Sequence, residues 1–198
     1  RIAIAIAALS GGNTRLTGDD SLRKRPMQPI LDALETMGVK TESEEGKPPI
    51  NIKGKIHGKE ISIKGDISSQ FISALLIIAP RLPEGLVINI EGELVSKPYV
   101  DLTIAIMKKF GVEVKTEEKY KKYNVSHQIY KPTTFSIPSD FSNLALLLAA
   151  NVLLDDGLNI EISLGDMPQG DEAIVDILEK LGVNVRLEED MITTESPD

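Results

Sequence analysis

Apolar positions recur along the chain in three similar blocks. Residues 26–39 (PMQPILDALETMGV), 98–112 (PYVDLTIAIMKKFGV) and 168–183 (PQGDEAIVDILEKLGV) each open on Pro, carry an apolar stripe and stop at an apolar–Gly pair. Pro is tolerated in the first turn of a helix because its missing N–H would find no partner there, and Gly readily takes the left-handed conformation that closes one. The closing glycines, Gly38, Gly111 and Gly182, fall 73 and 71 residues apart (111 − 38 and 182 − 111). Upstream of each block lies a second helical segment, at residues 1–9, 71–79 and 144–154. The middle one is apolar nearly all round, which predicts a buried helix ended by Pro80.

Strands are written more faintly. Residues 86–91 (LVINIE) alternate, residues 50–53 and 60–64 read as a two-strand meander around residues 56–59, and residues 112–115 read as pairing with a later segment such as 123–126. Each repeat of about 72 residues therefore predicts helix, strand, helix and three strands. Three sheets, each backed by two helices, predict an α+β fold in quasi-threefold arrangement with the helices buried at its centre. Pro132 and Pro138 bracket a linker-like stretch, so a domain crossing is expected near residues 137–139, with residues 1–138 in one lobe and 139–198 in another. Arg1 opens directly on an apolar run with neither cap nor initiator Met, and the last repeat stops short of its next helix; the expectation is a piece of a longer protein.

Composition narrows the chemistry. The chain has no Cys, which removes disulfides, thiolate metal sites and a thiol nucleophile and fits a cytoplasmic location. Its longest apolar runs are shorter than the roughly 20 residues a bilayer needs, so no membrane association is expected. A net charge of −8 argues against a nucleic-acid surface, yet Arg23, Lys24 and Arg25 form a local basic cluster.

The candidate chemistry lies at helix starts. Ser68-Ser69-Gln70 precedes an apolar helix, where the hydroxyls serve as caps, as part of an anion site, or as both. Ser96-Lys97-Pro98-Tyr99 and Arg23-Lys24-Arg25-Pro26 occupy corresponding places before the second helices of their repeats. If these edges converge, they form one basic, hydroxyl-rich surface suited to phosphate and carboxylate. His57 and His127 are isolated and read as surface or strand residues. Asp19-Asp20 and Asp155-Asp156 read as turns. No metal site, P-loop, dinucleotide fingerprint or serine-hydrolase elbow is present in the sequence.

Four segments, LTGDDSLRKRPM (16–27), GDISSQFISALL (65–76), LVSKPYVDLTIAIMKKFGV (94–112) and MPQGDEAIVDILEKLGV (167–183), together resemble the 5-enolpyruvylshikimate-3-phosphate synthase family, in order and over nearly the whole chain. The resemblance implies two lobes of βαβαββ units forming inside-out α/β barrels, with substrates held between them. It implies transfer of the enolpyruvyl group of phosphoenolpyruvate to the 5-hydroxyl of shikimate 3-phosphate, without metal or organic cofactor, by a full-length monomer. Residue by residue, Ser68, Ser69, Gln70, Ser96 and Tyr99 resemble ligands of shikimate 3-phosphate, while Arg25 and Gln70 resemble ligands of phosphoenolpyruvate. Arg1 matches a family arginine but is not expected to touch substrate. The family's catalytic lysine, aspartate and glutamate match nothing in residues 1–198, so this stretch alone is expected to be inactive. Two rivals are weaker. The UDP-N-acetylglucosamine enolpyruvyl transferases usually carry a cysteine in the loop matched by residues 18–22. The RNA 3′-phosphate cyclase-like proteins would show a catalytic histidine and a more basic face.

Overall fold

The computed structural model describes residues 1–154, 159–163, 165, 167–188 and 190–195. Two compact units make up the chain, Arg1–Thr133 and Thr134–Asp198. In the first, α1 (Ile2–Leu9), the short α2 (Asp20–Arg23), α3 (Gln28–Thr36), α4 (Ser69–Ile78) and α5 (Lys97–Lys109) accompany two sheets. One sheet is antiparallel, with β1 (Asn13–Leu16) and β2 (Lys40–Glu44) flanking β3 (Lys47–Lys53). The other runs in the order β4 (Glu60–Lys64), β5 (Leu86–Glu91), β7 (Lys122–Val125), β6 (Lys115–Glu117).

The α4 helix is the hub. Its sequence SQFISALLII leaves no polar stripe, and eight of its ten residues are buried. It packs against both α1 and α5, so its apolar surface meets helices on more than one side. The strands cover this assembly with one face each: Ile50 and Ile52 of β3, Ile61 and Ile63 of β4, Leu86, Ile88 and Ile90 of β5, and Tyr123 and Val125 of β7 are all buried. Alternation with period two puts those residues on one side and leaves their polar neighbours in solvent.

Two of the expected pairings differ in the structure. Residues 60–64 do not form a meander with 50–53; they cross to the other sheet and lie parallel to β5, in register from Glu60↔Val87 to Lys64↔Glu91. The cause is α4 itself, because a strand–helix–strand unit returns the chain parallel to the strand it left. The strand expected at residues 112–115 begins at Lys115, since Val112 is buried below the end of α5, where its N–H bonds Met107 O at 3.0 Å. Asp19 is more than a turn residue: its Oδ1 accepts Leu22 N–H at 2.7 Å and caps α2. His57 and His127 are exposed and lie outside the strands, His127 Nδ1 meeting Leu82 O at 3.0 Å. Asp155 and Asp156 lie outside the described residues.

The second unit has its own core, in which Phe141, Leu144 and Leu148 of α6 (Phe141–Leu154) and Leu178 of α7 (Ala173–Lys180) pack with Ile162, Val183 and Ile192. Its sheet is antiparallel, with β8 (Asn159–Glu161) and β9 (Asn184–Glu188) on either side of β10 (Met191–Glu195). Among the described residues of both units, no helix is long and apolar enough to cross a membrane.

Candidate active site

Because β4 and β5 run parallel, the helices that follow them both start at the same edge of the sheet. Gly65 joins the two connections there. Its N–H donates to Glu91 O (2.9 Å) and its carbonyl accepts Val95 N–H (3.1 Å). A Cβ on Gly65 would stand 2.6 Å from Ile90 Cγ2, 2.9 Å from Glu93 O and 3.1 Å from Leu94 Cα, so only glycine lets the two loops lie this close. Further along, Ser73 of α4 and Thr103 of α5 are bonded hydroxyl to hydroxyl at 2.8 Å, and Thr103 Oγ1 also donates to Tyr99 O at 2.8 Å. Together these contacts fix the start of α5 against the start of α4.

Ser68 is the N-cap of α4. In extended conformation (φ −167°, ψ 126°), its Oγ accepts the Gln70 N–H at 3.3 Å, and its carbonyl accepts Phe71 N–H. The Ser69 N–H remains without a protein partner among the described residues. Ser69 itself is 5 % exposed, whereas Gln70 is exposed. Arg1 closes on this turn from the chain end of α1: Nη1 donates to Ser68 Oγ and to Gln70 Oε1, both at 2.9 Å. The guanidinium carbon stands 5.0 Å from the ring centre of buried Phe71, and Nε is buried without an acceptor among the described residues.

Ser96 is built differently. It caps α5 in the left-handed region (φ 54°, ψ 43°), is exposed, and its hydroxyl caps no helix N–H. Tyr99, one turn into the helix, is 47 % exposed. On the far side of α5, Tyr120 Oη donates to Asp101 Oδ2 at 2.7 Å, a bond that raises the Tyr120 pKa above the usual phenol value. Arg25 is exposed and lines a shallow hollow with Asp19, Ser21 and Leu22. Leu22 in turn shares a second hollow with Arg1, Thr17 and Met27. The structure thus joins Ser68 and Gln70 through Arg1 and ties the start of α5, which carries Ser96 and Tyr99, to the start of α4. Arg25 lies two residues past the end of α2, and the hollow it lines shares Leu22 with the one that Arg1 lines.

The contacts of Arg1 with Ser68 and Gln70 are ones that sequence reasoning did not foresee. The two partners lie 67 and 69 positions away, and no local pattern encodes a contact at that range.

Central helices sheathed by sheets, with polar helix starts gathered at one sheet edge, define the fold of the enolpyruvyl transferases. EPSP synthase from Acinetobacter baumannii superimposes with a TM-score of 0.71 at 22% identity, covering 98% of this chain and 45% of that one. The enolpyruvyl transferase NikO from Streptomyces tendae gives 0.70 at 18%, covering 99% and 46%. Within that class the sequence is more specific: residues 1–198 match EPSP synthase (3-phosphoshikimate 1-carboxyvinyltransferase), and the chain belongs to this family. The 3-phosphoshikimate 1-carboxyvinyltransferase of Nitrosopumilus maritimus is 55% identical over 198 residues, covering 100% of this chain and 47% of that protein. That of Methanocaldococcus jannaschii is 40% identical over 200 residues, covering 98% and 46%. The chain spans about half the length of the curated relatives it matches.

Proposed function

We propose that the full-length protein transfers the enolpyruvyl group of phosphoenolpyruvate to the 5-hydroxyl of shikimate 3-phosphate, releasing phosphate, and that residues 1–133 supply much of the cradle for the second substrate. The observation that carries this reading is the cluster at the start of α4, where Ser68, Gln70 and Arg1 meet beside the fixed start of α5. Helix N-termini and hydroxyl donors favour phosphate, and Ser68, Ser69, Gln70, Ser96 and Tyr99 are assigned to shikimate 3-phosphate. Arg25, with Gln70, is assigned to phosphoenolpyruvate, whose planar carboxylate suits a guanidinium fork.

In the reaction the methylene carbon of phosphoenolpyruvate gains a proton while the 5-hydroxyl oxygen bonds to the neighbouring carbon and gives up its own. The tetrahedral intermediate then breaks its bond to the phosphate oxygen and loses a methyl proton, restoring the double bond. The groups that move those protons must lie within hydrogen-bond reach and are assigned to parts of the protein outside residues 1–198. The protein works as a cytoplasmic monomer without metal or organic cofactor.

The test is titration of the full-length protein with shikimate 3-phosphate, with and without phosphoenolpyruvate. Each ligand is expected to tighten the other, and Arg25→Ala is expected to weaken phosphoenolpyruvate while sparing shikimate 3-phosphate. No binding of either ligand, or product formed by residues 1–198 alone, would overturn the assignment.

A further inference from the structure

We infer that the outer face of the β1–β3–β2 sheet binds a small non-aromatic phosphate between Lys40 and Lys53, at a site separate from the helix starts. Strand register supplies the first observation. Lys53 of β3 pairs with Lys40 of β2 on one side and with Asn13 of β1 on the other. Two residues away, Asn51 pairs with Glu42 and Arg15 in the same manner, and strand residues two apart share a face. Directly opposed residues carry their Cβ atoms about 4.5–5.5 Å apart, where like charges destabilise a sheet. Among the described strand pairs of all three sheets, only Lys40 and Lys53 set like charges opposite each other.

The neighbouring sheet is an internal comparison. Its strands β5, β7 and β6 have the same order and the same antiparallel pairing. There Lys122 faces Glu117 at 3.0 Å, and Asn89 Nδ2 donates to Glu60 Oε1 at 2.8 Å, so that face neutralises itself. On the first sheet neither lysine forms an ion pair among the described residues. Glu42, the acid of the adjacent row, instead accepts Asn51 Nδ2 at 3.4 Å. Residues 46–59 also carry Lys47, Lys55 and Lys59 without a single Asp or Glu, in a chain of net charge −8.

The second observation is a hollow of about 370 Å³ at the opposed lysines, lined by Asn13, Lys40, Glu42, Asn51 and Lys53. That volume suits a small ligand. All five lining side chains are polar, so nothing there would stack on a nucleobase or another ring. Two ammonium groups match the charge of a phosphate dianion, and the Asn13 amide adds N–H donors. A dianion between the lysines turns their repulsion into a shared attraction. The ligand is therefore a phosphate, either free or as the monoester of a small hydroxy compound.

The experiment is a residue-resolved NMR titration of the full-length protein at an ionic strength held constant with chloride. One arm uses inorganic phosphate and the other glycerol 3-phosphate. Saturable shifts are expected at the Asn13 and Asn51 side-chain amides and at the backbone amides of Lys40 and Lys53. The arm that saturates at the lower concentration tells whether the free ion or the ester is the ligand. Lys40 and Lys53 are exposed, so replacing either leaves the core intact. Lys40→Gln and Lys53→Gln are each expected to weaken binding at least about fivefold, the effect of one unit charge at about 4 Å in water. Glu42→Gln is expected to tighten binding by a similar factor, because it removes the one anion lining the hollow. Shifts confined to Ser68, Gln70 and Ser96 would place the anion at the helix starts alone and overturn the inference. Sheet shifts that never saturate, or that persist unchanged in the Lys40→Gln/Lys53→Gln double variant, would overturn it as well.

Discussion

Replacing Ser96 by glycine is expected to make the protein more stable and a poorer binder at once. The backbone of Ser96 is left-handed, at φ 54° and ψ 43°. That region costs an ordinary L-residue about 1–2 kcal/mol. Its hydroxyl caps no helix N–H, so the fold gains little from the side chain. Glycine relieves the strain but adds about 0.5–1 kcal/mol of backbone entropy to be lost on folding, leaving a net gain of about 0.5–1 kcal/mol. Ser96→Ala keeps the strain and is expected within about 0.5 kcal/mol of the parent, as for most exposed substitutions. Both variants lose a hydroxyl assigned to the shikimate phosphate, and a hydrogen bond to a charged group is worth about 1.5–3 kcal/mol, or about tenfold to a hundredfold in affinity. Urea midpoints at unchanged slope give the first quantity, and calorimetric titration with shikimate 3-phosphate gives the second. If Ser96→Gly is no more stable than Ser96→Ala, the left-handed backbone carries no strain. If both bind like the parent, Ser96 is not a ligand.

Gly65→Ala brings a Cβ to within 3.0 Å of a backbone oxygen and a β-branched side chain; it is expected to cost about 1–3 kcal/mol, as overpacking does, and to weaken shikimate 3-phosphate binding by separating the two loops. Equal stability and affinity would show that the loops do not depend on this approach. Ser73→Ala leaves Thr103 Oγ1 without its interhelix partner but still bonded to Tyr99 O, and is expected to destabilise by about 1 kcal/mol in denaturant melts. Tyr123 is 1 % exposed and its hydroxyl is buried without a partner among the described residues, so Tyr123→Phe is expected to stabilise by about 1 kcal/mol at neutral pH. Burial first, then the charge of Asp101, raises its pKa above the usual 10.0. Stability tied to the neutral phenol is therefore complete below pH 10.0 and lost as the pH climbs through the raised folded value. The variant is expected to resist alkaline unfolding better than the parent. Tyr120 and Tyr130, whose values are also raised, keep part of the effect in place.

The helices were legible because burial writes itself into them. The apolar run of α4, interrupted only by Ser73, and the closing glycines after α3, α5 and α7 need no tertiary information, although Pro26 and Pro168 stand ahead of the starts of α3 at Gln28 and α7 at Ala173. The weakest strands were the polar ones: β1 (NTRL) and β2 (KTESE) lie at the edges of their sheet, keep no fully buried residue and show no alternation of hydrophobicity. The partner of β4 was misread because pairing is decided by the helix that follows, not by the strand's own sequence. At the site, Ser68 and Ser96 were visible as helix starts. Their difference was not: one is an extended cap bonded to its helix, the other a left-handed residue whose hydroxyl caps nothing. The hydrogen bonds of Arg1 to Ser68 and Gln70 depend on α1 packing against α4, a contact between segments far apart in the chain.

The register of β4 on β5 acts as a ruler. Lys64 stands opposite Glu91, Ser68 follows four residues after the first and Ser96 five after the second. Sliding one strand past the other by a single residue would displace the two serines relative to each other by about 3.3 Å, roughly the width of a phosphate oxygen, and would also turn Ile61 and Ile63 out of the core. The spacing of the two serines is therefore set by backbone pairing that the core itself enforces. Accommodating a longer or shorter ligand would call for an insertion or deletion in the loops after these strands, where spacing can change without disturbing the hydrophobic interior.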